Sequence, residues 1–503
     1  MKNDRHLNLS PSPSSLIESL RDIGYSMETA VADIIDNSIT ADAGIVWIRF
    51  AWNSDNPWLA IIDDGCGMSE DELIDAMRFG SKSPRAMRSA NDLGRFGLGM
   101  KTASFSQCRH LTVLSKKSGL LSCCAWDLDQ ITRDNRNEWL LGVMDTDELQ
   151  NHKPLFPLYQ EYMQGNESGT IVLWEKFDRI ESRSSSEARE RLFDSLMDDT
   201  RKHLELVFHR FLSYEVGKGQ VVISMNGDEL EAFNPFNPSN LATQELAEQR
   251  FSLDGQEIVV QPYILPHHNK VSQEEYDKYA GDGGYLQNQG LYIYRNRRLI
   301  IKGTWFRLIQ KMELNKLIRI RVDIPNTLDH LWRIDVKKSN AAPPESVRRE
   351  LRQIIGKIEI KGRRVYMQRG QKLSASAKIP IWNRRAAGGS IVYEINREHP
   401  LLKQLLQSAP SEQVEQLKNT ICLIESRFPT DLFYNDFSNN PEQVQSPNLG
   451  EETLESMLDT FISFGAPDGI VSSEIVATLL STEPFSSNKE FTEVLLRKKG
   501  YLR

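Results

Sequence analysis

Asp33 and Asn37 stand four residues apart in an apolar-periodic segment, and a helix sets them about 40° apart on one face. A carboxylate there can activate water, and an amide one turn later can ligate Mg²⁺. Farther along, the apolar run at 59–62 leads into Asp63, Asp64, Gly65, Cys66, Gly67 and Met68. A carboxylate at the end of a buried strand can accept a hydrogen bond from an adenine amino group, which assigns that task to Asp63. Gly65 and Gly67 let backbone approach the base with no Cβ between, and Met68 closes the motif. Third comes the turn Gly94, Arg95, Phe96, Gly97, Leu98, Gly99, Met100, Lys101, which opens an Ala/Ser/Thr-rich helix. Backbone N–H groups at such a helix start bind phosphate. Lys101 is expected to contact phosphate, and the polar stretch before the turn reads as a lid whose Ser81 and Lys82 reach phosphate oxygens. A glycine turn alone is a weak signal. Three signals in this order, suited in turn to water and Mg²⁺, to the base and to the phosphates, fit a nucleotide.

The elements that must position these groups follow from pattern. Residues 27–40 read as a helix, 45–50 and 58–63 as strands, and Ser69 with the acids after it as a helix start. Further strands are expected at 110–115, 121–127 and 169–174, with a polar, poorly patterned insertion at 128–167. A long amphipathic helix is expected at 187–212, where His203 and His209 read as packing or surface residues. Beyond it, 221–225, 258–264, 290–295, 299–301 and 317–324 read as strands, and the chain after 400 reads as helical.

The three motifs resemble the ATP-binding fold of the GHKL superfamily, which includes gyrase, heat-shock chaperone, histidine kinase and MutL. The N-box is residues 33–38, the adenine motif 63–68 and the lid motif 94–101. The wording around the N-box is most similar to that of bacterial MORC-like ATPases of restriction and phage-defence systems. The resemblance implies an α+β chain with a flexible arm at 1–14 and a GHKL (Bergerat) α/β sandwich at 15–178. A transducer-like α+β domain at 179–345 would follow, and beyond it charge and pattern read as a basic connector at 346–390 and a helical, acidic C-terminal domain at 391–503. It also implies that Asp33 is the general base, that Thr170 lies under the adenine pocket, and that a transducer lysine reaches the terminal phosphate. Lys337 and Lys338 are the candidates, and alternation along an extended segment turns only one of them inward. One residue departs from the pattern. The base of the gyrase, MutL and chaperone branches is Glu, and Asp33 is one methylene shorter, a retraction of roughly 1.5 Å. Misplacement on the order of 1 Å costs about a hundredfold in rate, so slow hydrolysis is expected.

The totals narrow the partners. The 503 residues allow about three domains. A net charge of -8 excludes electrostatic nucleic-acid binding by the molecule as a whole, so DNA contact would need a local basic face. Two stretches offer one. Nine Lys/Arg against Glu313 alone fall in 295–321, and eight with no acid fall in 361–385, with Trp305, Phe306, Tyr366 and Trp382 interleaved. The chain turns acidic after 431, a sign that suits a protein partner such as another defence-system component. Five cysteines without a CxxC pair read as reduced cytoplasmic thiols, and no apolar run approaches the ~20 residues that span a membrane. The adjacent His267 and His268 lack carboxylate or thiol partners in sequence and are weak metal ligands. The expected protein is an ATP-dependent, homodimerising switch acting on DNA. A chaperone-like ATPase with a protein client is the second reading, and a histidine kinase the third.

Overall fold

The computed structural model describes residues 12–22, 24–79, 99–133, 138–180, 185–215, 219–332, 343–367, 379–387, 390–427, 429–430, 433, 449–466 and 471–502. The chain is α+β and divides into two compact units, 1–368 and 369–503.

The first unit begins with α1 (Pro13–Arg21), α2 (Met27–Thr40), β1 (Ile45–Ala51), β2 (Trp58–Asp63), α3 (Glu70–Met77) and α4 (Gly99–Gln107). Next come β3 (Cys108–Lys117), β4 (Leu120–Asp127), α5 (Leu128–Arg133), β5 (Gly142–Val143), α6 (Thr146–Asn151), α7 (Leu155–Tyr162) and β6 (Gly169–Phe177). Then follow α8 (Ser186–Val207), α9 (His209–Leu212), β7 (Val222–Met225) and β8 (Asp228–Glu229). These strands form one sheet in the order β5-β4-β3-β6-β2-β1-β7-β8. β1 pairs antiparallel with β2 and parallel with β7, so the sheet runs past the boundary expected at 178.

β2 sits inside this sheet and both its faces are covered, which is why it reads as a continuous apolar run. Leu59 and Ile61 join a core with Ala30, Val31, Ile34 and Ile35 of α2. Ala60 and Ile62 face the other way, into a core with Leu149, Leu155 and Leu158. Asp63, next in the alternation, therefore points to the α2 side. The insertion that sequence leaves unpatterned is thus the cover of the second face, built from the short helices α6 and α7. α2 starts at a Ser26–Thr29 capping box and buries nine of its fourteen residues against the sheet, α4 and α8.

The second sheet takes β9 (Gln244–Glu245), β10 (Gln249–Leu253), β11 (Gln256–Ile264), β12 (Gly290–Arg295), β13 (Arg298–Thr304) and β14 (Ile318–Ile324), in the order β10-β11-β14-β12-β13 with β9 on β11. Helices α10 (Gln273–Ala280) and α11 (Gly284–Gln287) lie between β11 and β12, and α12 (Asp329–Trp332) and α13 (Glu345–Met367) follow β14. α13 closes this core: Val347, Leu351, Ile354, Ile355 and Ile358 pack with Ile258, Leu291, Ile320 and Trp332. The start of the expected basic connector is therefore a core helix.

The second unit contains a hairpin, Trp382–Ala387 with Ser390–Ile395, and helices that include Pro400–Ser408, Ser411–Ser426, Glu451–Gly465, Ser473–Ser481 and Lys489–Lys498. Its core gathers Leu454, Leu458, Phe461, Leu479, Phe485 and Leu496. Among the described residues, no helix is long and apolar enough to cross a membrane.

Candidate active site

The end of β2 carries Asp63, which is 5% exposed. The Ser38 hydroxyl donates to its Oδ2 at 2.8 Å and the Gly65 N–H to its Oδ1 at 3.0 Å. Thr170, its register partner on β6, stands 3.0 Å, Oγ1 to Oγ, from Ser115. Ser115 Oγ accepts from Met68 N–H at 2.8 Å, so one polar chain links Met68, Ser115 and Thr170 beside Asp63. Sequence assigns Ser38 and Ser115 no task of their own. The signal for Ser38 was its place in the N-box, and for Ser115 its register opposite Thr170 on β3.

The glycines act differently from the expectation. A Cβ at Gly65 would meet the Ala41 carbonyl at 2.8 Å, and one at Gly67 (φ +64°) would lie 1.9 Å from the Lys116 carbonyl. At both positions the neighbour that excludes a side chain is the protein's own backbone, which fixes the loop after β2 against α2 and β3.

Burial is the largest influence on Asp63 and raises its pKa from 3.8 to about 6, against the bonds from Ser38 and Gly65. The folded chain therefore holds a proton that the unfolded chain has released between these values. The associated stability is full below 3.8 and is lost as pH rises through about 6. At neutral pH the ionised carboxylate is an acceptor maintained at a cost to the fold. Nucleotide affinity is expected to fall about tenfold between pH 7 and pH 5 as this carboxylate protonates, with little change from pH 7 to 8. Calorimetric titrations across that range check it; a flat profile at pH 5–7 would remove Asp63 from the base contact.

On α2, Asp33 is 3% exposed while Asn37, one turn later, is exposed. The Tyr25 hydroxyl donates to Asp33 Oδ2 at 2.8 Å, and the Gln107 amide holds the Tyr25 carbonyl at 3.1 Å. A Cβ on Gly99, the first residue of α4, would lie 3.8 Å from Asp33 Oδ2. The start of α4 thus lies against the carboxylate. An exposed amide beside a fixed carboxylate is a hard-oxygen set of the kind Mg²⁺ takes, with few protein ligands and the remainder from phosphate and water.

Lys101 departs from expectation. It is buried, and its ammonium donates to the Ala76 carbonyl at 2.6 Å and the Arg78 carbonyl at 2.8 Å. A buried ammonium needs acceptors, and the unbonded carbonyls at the C-terminus of α3 supply them at the negative end of the helix. Lys101 ties α4 to α3 where sequence leads one to expect a phosphate contact. Met100 packs half-buried on the core. Ser81, Lys82, Gly94, Arg95, Phe96, Gly97, Leu98, Lys337 and Lys338 lie outside the described residues. His209 is buried with Nδ1 2.8 Å from the Leu206 carbonyl, and burial lowers its pKa to about 4, as suits a packing residue.

The basic stretch at 295–321 is largely internal. Arg295, Arg298, Lys316 and Arg319 are all buried. Arg295 forms a two-point pair with Asp329 at 2.8 Å, Lys316 meets Glu313 at 2.9 Å, and Arg319 donates to the Pro235 carbonyl at 2.6 Å. Arg297, in the turn between β12 and β13, lies over Phe211 at 4.5 Å. Arg298 reaches the N-box helix, where its Nε stands 3.2 Å from both oxygens of Asp36. Lys302, Arg307 and Lys311 remain exposed. Arginine count alone does not separate a polyanion-facing surface from a set of buried ties, and here burial decides against the former for these four cations.

Residues 25–169 match the family model described as histidine kinase-, DNA gyrase B-, and HSP90-like ATPase. ATPase morc-1 of Caenorhabditis elegans is 32% identical over 94 residues, 19% of this chain and 11% of that protein. MORC family CW-type zinc finger protein 1 of Mus musculus is 32% identical over 100 residues, 19% of this chain and 10% of that protein. ATPase MORC2B of Mus musculus is 31% identical over 97 residues, 19% of this chain and 9% of that protein. The matched segment spans about a tenth of each relative's length.

Proposed function

We propose that this chain, whose N-terminal region is a GHKL-type ATPase domain of the MORC kind, is an ATP-hydrolysing conformational switch. The observation that carries the reading is the pairing of two fixed carboxylates with different tasks: Asp63, buried at the strand end among donors, and Asp33, held by Tyr25 one turn before an exposed amide. Asp63 accepts from the adenine amino group. Asp33 orients the attacking water and takes its proton, and the Tyr25 hydroxyl fixes which oxygen faces that water. Mg²⁺, held by Asn37, would supply charge neutralisation at the phosphates. The same reading gives Ser81, Lys82 and the turn at 94–98 to the phosphates, and one of Lys337 and Lys338 to the terminal phosphate. Calorimetry and phosphate release on the full chain test it: ATP binds and turns over slowly with Mg²⁺. A chain that binds no nucleotide overturns the reading.

A switch also needs a mechanical connection. The Asp36–Arg298 pair joins the N-box helix to the second sheet, with both side chains buried, and Arg298 also lies over Phe208 at 5.5 Å. Removing one partner of a buried ion pair leaves the other charge uncompensated, typically at about 3–5 kcal/mol. Arg298→Ala is expected to lower stability by that order, and Asp36→Ala/Arg298→Ala to be less damaging than the two single losses added. Urea unfolding of the four proteins measures the coupling; strict additivity would reduce the contact to independent packing.

ATP-driven homodimerisation, and action on DNA within a bacterial defence or restriction-type system, belong to this proposal through the family likeness and the basic stretch at 361–385. Burial of Arg295, Arg298, Lys316 and Arg319 takes four of the nine cations of the other basic stretch out of that account and leaves Lys302, Arg307 and Lys311 exposed there, and to that extent favours a chaperone-like ATPase with a protein client. DNA binding measured over a salt series, with and without ATP, separates the two.

A further inference from the structure

The sheet face opposite Asp63 carries a second cluster of chemistry-bearing side chains. His110 on β3 and Glu175 on β6 are register partners, and alternation puts Glu175 on the same face as Ile171 and Leu173, under the α6–α7 cover. His152 lies in that cover, directly after α6. His110 Nδ1 stands 3.0 Å and His152 Nε2 3.6 Å from the same oxygen, Glu175 Oε2. The three ligand atoms lie within 4.8 Å of one another.

We infer that His110, His152 and Glu175 form a binding site for one divalent first-row transition ion, with Zn²⁺ the best match. Two neutral imidazoles and a carboxylate are a common zinc donor set. A tetrahedral ion with bonds of about 2.0–2.1 Å has ligand atoms roughly 3.3–3.4 Å apart, and the two measured separations bracket that spacing. As a hydrogen-bond cluster the group is incomplete. The 3.6 Å separation is too long for a hydrogen bond, and His152 Nδ1 is buried with no partner among the described residues. The side chains of His110, His152 and Glu175 are 16%, 18% and 20% exposed, enough to admit an ion while excluding most water. Lys176 spends its ammonium on Asp127 at 2.8 Å and Asp129 at 3.4 Å, leaving Glu175 to the imidazoles. Three protein ligands leave one position for water. The ion would clamp the insertion that bears His152 onto strands β3 and β6, and since the ligands converge only in the folded chain, binding would stabilise it.

The test uses the full chain, stripped with chelator and dialysed into metal-free buffer without nucleotide. Co²⁺ is the spectroscopic probe, and Zn²⁺ the ligand for calorimetry and thermal melts. The expected result is one equivalent per chain, a visible Co²⁺ band bleached by Zn²⁺, a melting temperature raised by several degrees, and slower proteolysis within 138–168. His110→Gln, His152→Gln and Glu175→Gln should each weaken Zn²⁺ binding at least tenfold while ATP affinity stays within about twofold, which also reports that each variant is folded. His152→Gln lies outside the strands, so it keeps the test valid if a strand variant fails to fold. Absence of a saturable equivalent in the unsubstituted chain overturns the assignment, as does Zn²⁺ affinity undiminished in His152→Gln.

Discussion

Asp33→Ala is expected to bind nucleotide within about twofold of the parent and to release phosphate between a hundred and ten thousand times more slowly, the usual range for removal of a general base. The two halves of this result come from geometry. Asp33 faces Tyr25 and the start of α4, whereas the candidate base contact lies at Asp63, on a different element. Single-turnover phosphate release under saturating ATP, beside calorimetry with ADP, measures both. Unchanged release would mean that water is positioned by Asn37 and the substrate's own oxygens. Because the carboxylate is Asp and not Glu, one methylene shorter, the parent's rate is itself expected to be slow.

Asp63→Asn should have the second largest effect, on binding instead of turnover. Both oxygens of Asp63 already accept from the protein, one from the Ser38 hydroxyl and one from the Gly65 N–H. The amide oxygen of Asn must stay with Gly65, because a backbone N–H cannot become an acceptor. The hydroxyl of Ser38 can rotate, so the NH₂ group takes that side and meets the adenine amino group donor to donor. An unsatisfied buried group costs about 1–3 kcal/mol, a loss of roughly ten- to a hundredfold or more in affinity. Stability should move the other way at neutral pH, because the substitution removes a buried charge whose pKa the fold raises to about 6. Affinity lost with stability kept or gained marks a ligand-facing residue; affinity unchanged by calorimetry removes Asp63 from the site.

What sequence made legible follows local rules. β2 was readable because four apolar residues run into Asp63, and α2 because apolar periodicity runs through 27–40. Asp33, Asn37 and Asp63 lie on these two elements, so their placement follows from them. The misses are non-local. Tyr25 reads as an ordinary residue before a helix until the fold sets it against Asp33. Lys101 carries the right charge after the right turn, but tertiary packing offers it the α3 carbonyls. Arg298 is 262 positions from Asp36, and nothing along the chain separates its guanidinium from the exposed Lys302 nearby. α13 was hidden by its own charges, although Val347, Leu351, Ile354 and Ile358 keep helical spacing beneath them.

The parallel pairing of β1 with β7 has a consequence for synthesis. The first sheet is completed only when residues 222–225 reach Ile45–Ile48, after the intervening helix α8 has been made. During translation β1, with the sequence IVWIRFA, presents an open apolar strand edge for as long as that stretch is inside the ribosome. Such edges recruit other strands. The nascent chain therefore has a window, set by the distance between β1 and β7, in which the strand beside the one that bears Asp63 keeps an unpaired edge.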